Sequence, residues 1–141
     1  LKVSYLETSA LLSWFFNEPK GTDVRKAMNS ADLIVTSDLL CVETERAFRR
    51  ALKEGILSDD EYAALVELFY THIKGWFRMS IDEAVISRAS GEFPVEPVRS
   101  LDAIHLATAL EYRKLYPQLS FISLDERIEK NREGLNLLSP L

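Results

Sequence analysis

Cysteine is almost absent: Cys41 stands alone among 141 residues, so no disulfide can form within the chain. A chain without one suits a reducing compartment, and a cytoplasmic setting is expected. Long apolar runs are missing too. None is long enough to span a bilayer and no leader pattern is visible, so no membrane partner is expected. An excess of positive charge is also lacking. Against 17 Lys and Arg stand 22 Asp and Glu, a formal net charge of −5. This counts against a protein that grips nucleic acid by bulk charge alone, but not against one whose acids gather around a metal. Linkers, repeats and low-complexity tracts are absent, so a single domain over residues 1–141 is expected.

What is present is an ordinary globular composition, 47% hydrophobic and 28% charged. Short β-prone runs at residues 2–6, 31–36, 76–79, 119–123 and 135–138 read as strands. Helical periodicity lies between them. It covers roughly 10–16 (capped by Thr8 or Ser9), 22–28, 38–53 and a long helix opened by the Ser58–Glu61 capping box. Further helices follow the Ser80–Glu83 box, run from the Ser100 cap to about 114, and cover about 126–131. Gly55 ends the 38–53 helix. Strands that alternate with helices predict an α/β fold: a mainly parallel sheet of about four to five strands flanked by helices on both faces.

In such sheets, sites form beyond the carboxyl ends of the strands. Glu7 and Asp125 each closely follow a strand. Asp102 opens a helix, and Glu43 lies within two turns of a strand end. Four carboxylates in one pocket would repel one another and hold protons unless a divalent cation joined them. An all-oxygen set suits Mg²⁺ or Mn²⁺ rather than zinc. Such an ion lowers the pKa of bound water and steadies charge on a phosphate. The remaining acids, Glu111 and Glu129 among them, read as solvated surface groups.

Four ordered segments resemble those of PIN-domain ribonucleases, and most closely the VapC-type toxins of toxin–antitoxin pairs. They are Val3-Ser-Tyr-Leu-Glu-Thr-Ser-Ala-Leu-Leu12, Thr36-Ser-Asp-Leu-Leu-Cys-Val-Glu43, Ser100-Leu-Asp-Ala-Ile-His-Leu-Ala-Thr-Ala109 and Phe121-Ile-Ser-Leu-Asp125. The resemblance covers nearly the whole chain. It implies a Mg²⁺- or Mn²⁺-dependent endoribonuclease with an RNA substrate, a cognate antitoxin and a homodimeric state. It also implies roles. Glu7 and Asp102 become the main metal ligands, Asp125 assists, and Glu43 helps to ligate metal or position water. Ser9 and Ser123 match hydroxyls that support the acids or the substrate.

One position departs from the pattern: Glu7 stands where the family has Asp. The extra methylene moves the carboxylate by roughly 1.5 Å, and misplacement on that scale can cost about 100-fold in rate. Three readings follow: an adjusted working site, a weakened nuclease, or a silent PIN-like module that binds RNA or protein without cutting. Arg46 and Arg50, one helical turn apart, are candidates to reach phosphate, and Arg99 either does the same or pairs with a site acid. His105, three residues after Asp102 in an apolar stretch, reads as a structural histidine, and His72 as packing or surface. Trp14, Phe15 and Phe16 read as helix core or as a groove for a partner.

Overall fold

Alternation along the strands sets the architecture. In the computed structural model, which describes residues 1–141, strand β1 (Val3–Leu6) points Val3 and Tyr5 to one face and Leu6 to the other. Strand β2 (Leu33–Ser37) does the same with Val35 and Ile34, and β4 (Ser120–Ile122) with Phe121 and Ile122. Both faces are therefore apolar and both need cover. With β3 (Phe77–Met79) on one edge, the strands lie in the order β3-β2-β1-β4, all parallel.

Seven helices supply the cover: α1 (Thr8–Phe15), α2 (Gly21–Ser30), α3 (Asp38–Lys53), α4 (Asp59–Ile73), α5 (Glu83–Ala89), α6 (Ser100–Leu115) and α7 (Glu126–Gly134). On one face Leu11, Phe15, Met28, Leu40, Phe48 and Phe69 pack over Leu6, Ile34 and Ile122. On the other, Leu106, Ala109 and Tyr112 of α6, with Ile128 and Leu137, pack over Tyr5, Val35 and Phe121. Phe15 is fully in the core with Trp14 and Phe16 half-buried against it, so this aromatic run is core rather than an open groove. His72 packs edge-on to Trp14, with ring centroids 5.0 Å apart.

Several helix starts differ from the sequence expectation. At α1 and α5 the cap falls to an acid near the expected hydroxyl. Glu7, not Thr8 or Ser9, caps α1 and accepts from the Ser9 N–H. Asp82 rather than Ser80 caps α5, while the Ser58–Glu61 box forms as expected. Helix α6 begins one residue early, with Arg99 at the cap position and Ser100 already helical. The strand expected at 135–138 does not form. Helix α7 extends to Gly134, and only the isolated bridge between Ser120 and Leu138 follows. Gly55 ends α3 as expected; its φ of 75° is a left-handed conformation that glycine adopts without strain. Glu111 and Glu129 are not fully solvated. They are partly buried and paired with Lys114 and Arg132.

Candidate metal and RNA site

Parallel strands place all their carboxyl ends on one edge of the sheet. Glu7 leaves the end of β1, and Ser123 and Asp125 leave the end of the adjacent β4. Glu43 reaches the same edge from the second turn of α3, and Asp102 from the first turn of α6. All four acids line one cavity of about 530 Å³, together with Ser9, Arg46, Arg50 and Arg99. Ser123 stands just beneath it and bonds Glu7.

Each carboxylate is held by one oxygen only. Glu7 Oε2 accepts from the Ser9 N–H at 3.0 Å, from the Ser9 hydroxyl, and from Ser123 Oγ at 2.8 Å. Glu43 Oε1 accepts from Thr8 Oγ1 at 2.7 Å and His105 Nε2 at 2.6 Å. Asp102 Oδ2 accepts from Arg99 Nε at 3.3 Å, and Asp125 Oδ1 from the Arg127 and Ile128 N–H groups at 2.9 and 3.2 Å. The second oxygen of each acid takes no hydrogen bond from the protein. Four anchored carboxylates thus leave four acceptors for a ligand.

The electrostatics agree with the placement. Glu7 is only 4% exposed. Burial pushes its pKa up, while His105 and the Ser9 and Ser123 hydrogen bonds pull the other way without cancelling it. Glu43 sits below the ordinary carboxylate range. Burial raises it, but the His105 hydrogen bond, the His105 charge and Thr8 outweigh that rise. Glu7 and Asp125 also cap helices and Asp102 lies in a first turn, so three helix N-termini face the cavity. Their partial positive charge favours anions there.

The donor set is all oxygen, as a hard divalent cation requires. No three of the acids stand close enough to grip one ion directly. A Mg²⁺-type ion asks for less, because it keeps several waters and takes one or two carboxylates. The residues present fit such an ion.

His105 is the residue whose part sequence reasoning missed. It is buried, as a structural histidine should be, but its partner is a site acid. A carboxylate only accepts, so Nε2 carries the proton. The other ring nitrogen, Nδ1, shares a hydrogen bond of 2.7 Å with the Tyr5 hydroxyl. Burial, then the Glu7 charge, hold the Tyr5 phenol well above its ordinary pKa, so it keeps its proton. A buried chain of hydrogen bonds therefore runs from Tyr5 through His105 to Glu43. The only signal in the sequence was the helical spacing of His105 and Asp102, and Tyr5 lies 100 residues away. His105→Ala is expected to destabilise the protein by about 3 kcal/mol, because it leaves a void and a buried hydroxyl without its partner. Tyr5→Phe, which leaves Nδ1 unpaired, is expected to cost about 1–3 kcal/mol. Urea midpoints at constant slope measure both, and unchanged midpoints would refute the chain.

An α/β domain with a four-stranded parallel sheet and an acidic cavity at its carboxyl edge defines the class of protein. The PIN domain model matches residues 4–134, and the chain belongs to the PIN domain family. It is 32% identical to Ribonuclease VapC35 of Mycobacterium tuberculosis, in two strains, over 135 residues. The match covers 94% of this chain and 92% of that protein.

Proposed function

We propose that the protein is a divalent-metal-dependent endoribonuclease and the toxin of a toxin–antitoxin pair. One observation carries the reading: four carboxylates line one cavity, each anchored at one oxygen and free at the other. The similarity to a ribonuclease along nearly the whole chain supports it. Glu7 and Asp102 are the main metal ligands in this reading. Asp125 and Glu43 would assist by holding and orienting water in the cavity. A bound Mg²⁺ or Mn²⁺ would supply a nucleophilic water at neutral pH and offset charge on the scissile phosphate. Ser9 and Ser123 fix the Glu7 carboxylate. His105 and Thr8 keep Glu43 ionised and in position. Arg46, Arg50 and Arg99 bind phosphate at the rim.

The same reading extends to partners and place. A cognate antitoxin covers the acidic cavity and offers a basic side chain where the cation would stand. The active form is a homodimer in the cytoplasm. No helix is long and apolar enough to cross a membrane.

The test is cleavage of structured RNAs by the purified protein with Mg²⁺ or Mn²⁺ and with a chelator. Cleavage with either ion and none with the chelator is the expected result. Cleavage that persists in chelator, or none with either ion, overturns the assignment. Metal binding has a second readout. An ion at about 100 times its dissociation constant should raise unfolding stability by about 2.7 kcal/mol, and Asp102→Asn should blunt that gain.

A further inference from the structure

Beside the acidic cavity lies a second hollow of about 480 Å³, and the two share Arg99 and Asp102. Its apolar wall is Val95, Pro97, Val98 and Leu106; its charged wall is Arg127 and Lys130 of α7. Of the other polar groups here, Glu96 and Asn131 are already occupied. Glu96 accepts from the Phe93 N–H with one oxygen and from the Val98 N–H with the other, at 3.0 and 2.9 Å. Asn131 exchanges two hydrogen bonds with the Val95 backbone, both at 2.9 Å. Arg127 and Lys130 differ. Neither side chain enters an ion pair or a hydrogen bond, although the chain carries more acids than bases.

Helix α7 links the two hollows. Its cap, Asp125, lines the acidic cavity, and Arg127 and Lys130, three residues apart on one helix face, line its neighbour. We propose that the second hollow is a nucleotide subsite. It takes the nucleotide flanking the scissile phosphate, whose own phosphate meets Arg127 and Lys130 while its ribose and base lie against Pro97 and Val98. The inference rests on the nuclease reading of the adjoining cavity. The volume is on the scale of small-ligand sites, roughly 300–1,000 Å³. A strand of RNA also explains the change of sign between the hollows. One phosphate needs a cation among carboxylates, and the next needs fixed positive side chains.

The test is binding of a short single-stranded RNA to the full chain in Ca²⁺, followed by fluorescence anisotropy over a range of salt. The double variant Arg127→Ala/Lys130→Ala is expected to bind more weakly. The slope of log affinity against log salt should flatten by about 1.4, the loss of two single-strand phosphate contacts. Arg127→Lys/Lys130→Arg should restore the slope, and the remote pair Lys2→Ala/Lys74→Ala should leave it unchanged. With cleavable RNA, the double alanine variant should raise KM and leave kcat nearly constant. Its penalty should vanish for RNAs trimmed from one end only. A slope and affinity equal to those of the remote pair would overturn the subsite. If the parent cuts RNA and the slope is unchanged, the subsite alone fails. If the slope flattens but no RNA is cut with any metal, the nuclease reading fails, and the hollow stands only as a phosphate contact for bound RNA.

Discussion

Asp102→Ala is expected to lower RNA cleavage on the order of 1,000-fold, the scale of losing one group that stabilises developing charge. Folding should survive it. Asp102 contributes little to stability where it stands. Its partner Arg99 is 64% exposed, and an exposed pair of this kind is worth about 0–1 kcal/mol. Its place in the first turn of α6 adds roughly 0.3–1 kcal/mol from the helix dipole. Loss of cleavage with an unfolding stability within about 2 kcal/mol of the parent would place Asp102 in the cleaving machinery. Retained cleavage would remove the acid from the site and the proposed mechanism with it. Asp102→Asn, which keeps the shape and drops the charge, should match alanine in activity.

The second large effect concerns Glu7. The family pattern suggests that Glu7→Asp would restore a missing fit. The structure argues the reverse. Ser9 and Ser123 converge on Oε2, the end of the longer side chain, from a helix and a loop 114 residues apart. Shortening the chain withdraws the carboxylate from that cradle by roughly 1.5 Å. Glu7→Asp is therefore expected to cut RNA about 100-fold more slowly. An increase in rate would instead favour the silent or weakened module.

Glu7→Gln separates stability from activity. Burial raises the Glu7 pKa in the folded state. Its contribution to stability is then fully present below the unfolded carboxylate pKa and is lost as pH rises through the raised folded value. The metal-free protein thus holds a carboxylate whose charged form burial disfavours. Gln removes that charge and should stabilise the metal-free protein by about 1–2 kcal/mol at pH 7 while abolishing cleavage. The difference should shrink as pH falls toward about 5. Urea unfolding at several pH values, in chelator, measures it, and a Gln variant that is less stable at neutral pH would refute the argument.

Much of this was legible in the chain as written. Alternation in Val3–Leu6 and helical spacing in residues 38–53 each depend on neighbours a few positions away, so the strands and helices could be placed from the sequence. The short apolar run at 135–138 misled because strand formation needs a partner along its length, and only Leu138 has one. The four acids could be picked out because three sit at element ends and Glu43 within two turns of one, and parallel strands bring such ends to one edge.

The sequence by itself determined the α/β class, the positions of the elements and the residues able to face a cation. These follow from short-range periodicity and from side-chain chemistry. Only the tertiary structure decided which oxygen of each acid is free, that Tyr5 and His105 stand behind Glu43, and that Arg127 and Lys130 open a second hollow. Those facts depend on sheet order and on packing between residues far apart in the chain, where each contact is set by the rest of the fold rather than by its neighbours in sequence.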